Sequence, residues 1–398
     1  MNLLLITSSF PQNGLISGVF IPDTIRALNG LGVSVHVLTQ NCFGSGSATT
    51  ELWPGCRVTY FGWTKGSTPL VSLMQTGTGV LSAFQYIIKA VSAGLVICRE
   101  RQPDVIFAEW LIPAGFIARI LSALTKTPYC CRALGSDVYV AAENSLLRPI
   151  IKHVAQHSSL LFADGFDLCR KTTALAEGRE CYFAATARKL ASKKSDFATY
   201  DDAGFFTFCS VGRLHHVKGF DVLIKACSAL RGKKIDFRCY IVGAGEEKEH
   251  LAKLIEDADL QHKVILTGRL EDGDISFLLR HVDCVVIPSR SESIPLILSE
   301  AVSAMKPLVV TDVGDMGYIA EKYNLGYVVP AGDPQSLADA LIKMSDTRSR
   351  AIFYDSQRYN EVASILSVEA GSKVIFDKID ELIKDRGVNK SITRGKPT

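Results

Sequence analysis

The chain has 398 residues, 47% hydrophobic and 21% charged, with a net charge of +3. That is too long for one ordinary core and fits two domains of roughly 150 to 200 residues each. So small a net charge points to no nucleic-acid partner.

In chain order, residues 3–7 read as a buried strand that starts without the basic region and cleavage site of a signal peptide, so a cytoplasmic location is expected. A helix is expected over 22–30, a strand over 33–39 and a polar Gly-Ser loop over 44–47. The longest apolar stretch, 80–98, is broken by Gln85, Lys89 and Gly94, so no membrane span is expected. Strands at 105–108, 129–133 and 160–163 then alternate with helices at 113–124 and 146–157. This alternation implies a parallel, doubly wound sheet. The 146–157 helix sets Arg148, Lys152 and His153 beside Leu147, Ile150, Ile151 and Val154. It fits either an anionic membrane surface or ordinary packing against the sheet.

Residues 186–204 lose apolar periodicity and gather Lys193, Lys194, Asp201 and Asp202, the pattern of an interdomain linker. Strand and helix patterns then restart: strands at 205–211, 237–242, 264–267, 284–288 and 308–311, helices at 219–230, 246–259, 274–279 and 295–305. The domains expected are therefore 1–187 and 205–365, followed by a helix over 366–385 that returns to the first domain and a disordered tail. The eleven cysteines are scattered through apolar runs and read as reduced core residues. The adjacent Cys130 and Cys131 lack the spacing of a zinc site. Residues 1–200 carry 18 Lys+Arg against 12 Asp+Glu, the rest 26 against 29. A basic first half suits an anionic acceptor or an acidic membrane surface, and a plain solvated surface equally well.

Ligands of open α/β sheets bind beyond the carboxyl ends of the strands, which makes the residues just after strands the informative ones. In Gly212-Arg213 and Lys218-Gly219 a strand ends in two cations beside a helix start, the makings of a diphosphate site. Glu292 follows a later strand and Glu300 lies near the start of the next helix, behind Pro295 at its first turn. Such carboxylates accept hydrogen bonds from sugar and ribose hydroxyls. Gly243-Ala244-Gly245 lacks the third glycine of a dinucleotide fingerprint and reads as a tight turn, which argues against a dehydrogenase. Asp272-Gly273-Asp274 opens a helix and reads as capping rather than as a metal pair.

Together these segments resemble the retaining glycosyltransferases of family four, the GT-B group whose two Rossmann-like domains face a central cleft. The resemblance rests on Val211-Gly212-Arg213, Lys218-Gly219, Val242-Gly243-x-Gly245, Thr267-Gly268-Arg269 and Pro288-Ser289-Arg290-x-Glu292 through Glu300-Ala301. In the first domain it rests on Ser17-Gly18-Val19-Phe20, Glu109-Trp110-x-x-Pro113-Ala114-Gly115 and Leu134-Gly135-Ser136-Asp137-Val138. It implies that Arg213 and Lys218 hold the diphosphate, Glu300 the ribose and Glu292 the transferred sugar. By the same likeness Gly18 and the backbone of Ser293, Ile294, Pro295 and Leu296 approach the donor. The implied activity is transfer of a hexose-type sugar from a nucleoside-diphosphate sugar to a glycan or lipid-linked acceptor in cell-surface polysaccharide or lipopolysaccharide synthesis. No metal is expected, and peripheral contact with the inner membrane face is.

The sequence departs from the family pattern in four places. Glu109 stands where the family has a sugar-contacting histidine, and is expected to face the cleft as a catalytic carboxylate beside Glu292. Ser293 replaces a glycine, Ala184-Ala185-Thr186-Ala187 replaces an Asn-Gly-x-Asp run, and Tyr318 replaces a glutamate. These departures keep open a catalytically silent partner that only binds nucleotide sugar.

Overall fold

A computed structural model describes residues 1–12, 17–44, 46–63, 77–190 and 204–394. Ser45 of the expected polar loop and the linker residues Lys193, Lys194, Asp201 and Asp202 lie outside the described residues. The chain divides into two compact units: Met1–Thr186 with Val368–Thr398, and Ala187–Ser367.

The first unit is built on an eight-stranded sheet of order β3-β4-β2-β1-β5-β6-β7-β8. Its strands are β1 (Asn2–Ile6), β2 (Ser34–Asn41), β3 (Ala48–Trp53), β4 (Cys56–Gly62), β5 (Val105–Glu109), β6 (Tyr129–Ala133), β7 (Leu160–Ala163) and β8 (Cys181–Phe183). Only β3 pairs antiparallel; the other pairs are parallel. Helices α1 (Ile21–Gly30), α2 (Gly77–Arg101), α3 (Phe116–Thr125), α4 (Arg148–His157) and α5 (Phe166–Leu175) supply the crossovers. The β3–β4 hairpin and β8 escape the sequence pattern. β3 is almost wholly exposed, so it carries no buried alternation to recognise.

The second unit has six parallel strands in the order β11-β10-β9-β12-β13-β14. They are β9 (Phe206–Val211), β10 (Phe237–Val242), β11 (Val264–Gly268), β12 (Cys284–Ile287), β13 (Leu308–Thr311) and β14 (Gly326–Val329). Its helices are α6 (Phe220–Gly232), α7 (Lys248–Asp257), α8 (Asp272–His281), α9 (Leu296–Ser303), α10 (Met316–Lys322), α11 (Pro334–Ser345), α12 (Thr347–Ala351) and α13 (Ser356–Ile365). Strands such as Cys284–Ile287 and Leu308–Thr311 are buried at every residue, as parallel strands covered on both faces must be.

One sequence expectation changes, and one open alternative is decided. Residues 386–394 of the tail expected to be disordered are helical, because α14 (Val368–Arg394) continues through them. Its earlier turns dock against α1 of the first unit, and an established helix propagates at little cost. Of the two readings of the 146–157 helix, packing is the one observed: Leu147 at the N-cap of α4, and Ile151 and Val154 within it, are buried in the first unit's core. Helix α2 passes a span test by length and composition alone, with mean hydropathy 1.6 over Leu81–Arg101, but its Tyr86, Ala90, Ile97 and Cys98 are packed in the first unit's core. Gln85 and Lys89 interrupt that run without lowering its mean enough. All eleven cysteines are free thiols, most of them buried, and burial pushes the Cys130 thiol up to about 12.

Candidate functional site

In the second unit β9 lies between β10 and β12, so the chain leaves the sheet centre in opposite directions from β9 and β12. The loops beyond these two strands border the topological switch point, where open α/β sheets bind ligands. They are the two segments singled out by sequence, Gly212 to Lys218 and Pro288 to Pro295.

The loops are locked together by backbone geometry. Gly219 sits at φ +69°, and a Cβ there would lie 2.0 Å from the Pro288 carbonyl oxygen, so only glycine lets the 3₁₀ turn His216–Lys218 approach this closely. The Arg290 amide donates to the Val217 carbonyl at 2.7 Å. Its guanidinium donates to both oxygens of Asp221 at 2.7 and 2.8 Å and to the His216 carbonyl at 2.8 Å. Burial pulls the Asp221 carboxyl up, but the Arg290 hydrogen bonds and charge outweigh it and hold the group below the usual range. Gly314, at φ +55°, presses on the other side of the loop, where a Cβ would lie 2.2 Å from the Glu292 carbonyl oxygen.

This clamp brings the Lys218 ammonium into contact with a Glu292 carboxylate oxygen, which also accepts from the Ser289 hydroxyl at 3.4 Å. The two side chains are mostly buried. Arg213 lies on the same first loop with its side chain 67% exposed and only a 3.3 Å pair to Glu246. The Ser293 hydroxyl is buried and has no hydrogen-bond partner among the described residues. Ile294 is buried, Pro295 is the N-cap of α9 rather than a residue of its first turn, and Leu296 opens the helix.

Glu300 is almost fully buried in α9, and Arg188 donates to it at 2.5 Å and to Asp272 at 3.0 Å. Burial pushes the Glu300 carboxyl up, against the pull of Arg188. Asp272 therefore spends its side chain on Arg188, while α8 carries no side-chain cap at Glu271.

The first unit assembles a separate cluster at its own switch point, between β1 and β5. Gly18, at φ +73°, brings residues 17–20 onto the Ser9 carbonyl, where a Cβ would lie 2.1 Å away. Glu109 and Arg132, at the ends of β5 and β6, form a bidentate pair at 2.9 and 2.5 Å with both side chains 0% exposed. The Phe20 ring lies 5.5 Å from that guanidinium and 6.3 Å from the Trp110 ring. Asp137 ties the loops after β5 and β6 together by accepting from the Leu111 amide at 2.8 Å and the Leu134 amide at 3.2 Å. Burial, against the pull of those amides, brings its carboxyl up to about 6. The expectation that Glu109 faces a substrate is corrected here: Arg132, its in-register partner on the adjacent strand β6, has drawn the carboxylate into the core.

Two family descriptions match this chain. Residues 193–360 match "Glycosyl transferases group 1", and residues 17–167 match "Glycosyl transferase 4-like domain". The chain is a group 1 glycosyltransferase. The two matches span most of its length and fall on its two Rossmann-like units, the GT-B architecture.

Relatives agree with that placement. The glycosyltransferase is 25% identical over 365 residues to a Bacillus subtilis protein assigned to teichuronic acid biosynthesis (TuaC), covering 86% of this chain and 89% of that one. It is 32% identical to the amylovoran biosynthesis glycosyltransferase AmsK of Erwinia amylovora over 142 residues, 34% of this chain and only 35% of that one. Anabaena HepE, solved with UDP-glucose, superposes with a TM-score of 0.69 at 18% identity over 95% of this chain and 99% of that one. At that identity the likeness shows the fold alone.

Of the residues singled out by sequence, Arg213, Lys218, Glu292 and Ser293 share the second unit's switch point, and Gly18 and Glu109 share the first unit's. Arg188, Arg132 and Asp221 went unnoticed in the sequence. Each is a long-range ionic partner of a residue that was noticed, or of Arg290 beside one. A lone charged residue in a run such as Cys131-Arg132-Ala133, buried on both sides, is the one signal that could have found Arg132.

Proposed function

We propose that the second unit binds a nucleoside-diphosphate sugar and that this glycosyltransferase moves a hexose-type sugar, with retention and without a metal ion, to a glycan or lipid-linked acceptor in cell-surface polysaccharide synthesis. The observation that carries the reading is the Lys218–Glu292 apposition at the β9/β12 switch point. One cation and one carboxylate meet where a phosphate and a sugar hydroxyl must lie side by side. In the free protein they neutralise each other. A donor would replace that contact with two, phosphate on Lys218 and sugar hydroxyl on Glu292, so neither charge is left buried and unpaired.

The chemistry follows from charge. As the bond between the anomeric carbon and the phosphate oxygen breaks, negative charge builds on the leaving diphosphate, and fixed cations aimed at it stabilise the transition state. Lys218 is held in place by the Gly219 turn, and exposed Arg213 adds a second positive charge. The acceptor oxygen attacks on the face that the diphosphate leaves, and its proton passes to the departing phosphate oxygen. That route gives retention and needs no protein nucleophile, which suits a unit whose buried carboxylate Glu300 is already committed to Arg188. Asp272 is likewise committed, so the Asp272–Gly273–Asp274 run supports no metal pair. The orphaned Ser293 hydroxyl offers a donor hydroxyl or phosphate one more hydrogen bond.

The base of the donor is tested by titrating UDP-, GDP- and ADP-sugars in a calorimeter, beginning with UDP-glucose because HepE was solved with it. Hydrolysis and transfer rates are measured alongside. Saturable binding of one nucleotide class, with transfer to a polyprenyl-linked or oligosaccharide acceptor, is expected. Binding with neither hydrolysis nor transfer for any donor would instead favour a silent nucleotide-sugar-binding partner. Lipid-linked acceptors also place the protein at the cytoplasmic membrane face.

A further inference from the structure

We infer that the solvent face of α2 is a docking surface for an anionic phospholipid bilayer. The inference rests on the peripheral membrane reading just given and names the surface that carries it. Leu81, Phe84, Ile88, Ser92, Val96 and Arg99 follow one another at steps of three and four residues, so they line a single helix face. All six are exposed, and the apolar ones heavily so: Leu81 by 63%, Phe84 by 64%, Ile88 by 49% and Val96 by 52%. Scattered apolar side chains on a surface need no explanation, whereas four large ones aligned on one helix face, with only Ser92 between them, do.

The opposite face of α2 fixes how the stripe can be used. Tyr86, Ala90, Ile97 and Cys98 belong to the first unit's core, and Tyr86 packs edge-on against Phe61 at 5.1 Å and Trp63 at 4.9 Å. At Gly94 a Cβ would lie 2.5 Å from the Leu121 side chain of α3, which therefore packs directly onto the α2 backbone. A helix fastened in this way cannot leave the sheet to span a bilayer. It can lie along one, as interfacial helices do.

Charge decides the occupant. On α2, α3 and α4, which pack side by side, and at the C-cap of α3, Lys89, Arg99, Arg101, Lys126 and Arg148 stand against Glu100 as the only acidic residue. The cations outnumber the one carboxylate on these helices, and a layer of acidic headgroups over hydrocarbon matches both the cations and the stripe. A groove of about 610 Å³ runs beside the stripe, with Phe61, Ile88, Val96 and Ile97 in its lining and Lys89 and Arg101 set against the single carboxylate Glu100. It has room for part of a lipid, with apolar walls for a chain and cations for its phosphate.

The test is co-sedimentation of the full chain with vesicles of phosphatidylcholine alone and of phosphatidylcholine containing phosphatidylglycerol, at low and high salt. The variants are Phe84→Asp/Ile88→Asp, Lys89→Glu/Arg99→Glu and, on the neighbouring helix, Arg148→Glu/Lys152→Glu. Circular dichroism melts check that each folds, and calorimetry with UDP checks the second unit's site separately, so loss of nucleotide binding and loss of vesicle binding are read independently. Binding at least tenfold stronger to the acidic vesicles, weakened by salt, is expected. The apolar-to-Asp variant should lose it, and the Lys89/Arg99 reversal should weaken it roughly tenfold or more. Equal binding to both vesicles, or binding unchanged in the first two variants, overturns the inference. Binding lost only in the Arg148/Lys152 variant moves the surface to α4 and overturns it as well. A concentration-dependent dimer that Phe84→Asp/Ile88→Asp dissolves would show that a second copy covers the face instead.

Discussion

Glu109→Gln separates a substrate-facing carboxylate from a structural one. In the native fold both Glu109 oxygens accept from Arg132, and both side chains are out of contact with water. The third guanidinium nitrogen, Nη1, has no hydrogen-bond partner among the described residues, so Arg132 has no second acceptor to fall back on. Removing the negative charge leaves a buried, uncompensated cation, which costs about 3–5 kcal/mol. For a unit of about 200 residues each kcal/mol lowers the melting temperature by about 2–4 °C, so a fall of roughly 6–20 °C is expected. The protein supplies its own reporter, because its three tryptophans, Trp53, Trp63 and Trp110, all lie in the first unit. Urea unfolding followed by tryptophan fluorescence therefore reads that unit alone, and a shifted midpoint at constant slope gives the energy. The double variant Glu109→Leu/Arg132→Met removes both charges and should recover most of the loss, since a well-packed apolar pair replaces a buried ion pair at little cost. An unchanged midpoint in Glu109→Gln together with a collapse of turnover would refute the structural role and return Glu109 to the substrate.

Lys218→Ala should weaken binding of free UDP by about 1.5–3 kcal/mol, and Arg213→Ala by distinctly less, because the Arg213 charge is largely solvated; calorimetry giving the reverse order would contradict the clamp. Glu292→Gln removes the carboxylate that competes for Lys218, so affinity for free UDP should hold or rise while transfer falls at least tenfold, about 1.4 kcal/mol of barrier. Gly219→Ala forces a Cβ onto the Pro288 carbonyl at a positive φ, and should lower both the second unit's stability and its UDP affinity, with urea unfolding and calorimetry as the readouts. Asp137 has its carboxyl raised to about 6 in the fold, so the native state holds a proton that the unfolded chain gives up. Its contribution is complete below about pH 4 and is lost as pH rises to about 6. Asp137→Asn should flatten the first unit's stability over that window in pH-stepped urea unfolding, while leaving one of the Leu111 and Leu134 amides without its acceptor.

What was legible in the sequence is what short-range physics writes there. Short apolar runs alternating with helical patterns marked most of the parallel strands, and glycine beside a cation after β9 and a carboxylate in the loop after β12 marked the two site loops. Positive-φ glycines such as Gly219 and Gly18 could be spotted because no other residue tolerates the approach they make. Ionic partners are different, since Arg132 lies 23 residues from Glu109 and Arg188 lies 112 from Glu300. A carboxylate next to a strand end reads the same whether it meets a sugar or an arginine, so Glu109 was placed on a substrate when its charge is spent in the core. The same blindness hid the exposed face of α2. Its composition looks like a buried helix, and only the sheet beneath it decides which side of an evenly apolar sequence is left to meet solvent. Lys218 and Glu292 escaped this limit because each lies in the loop that follows a strand, and the order of those strands carries both to one point. Chemistry carried at strand ends is therefore the part of such a site that sequence exposes, while the charges that hold it in place wait for the fold.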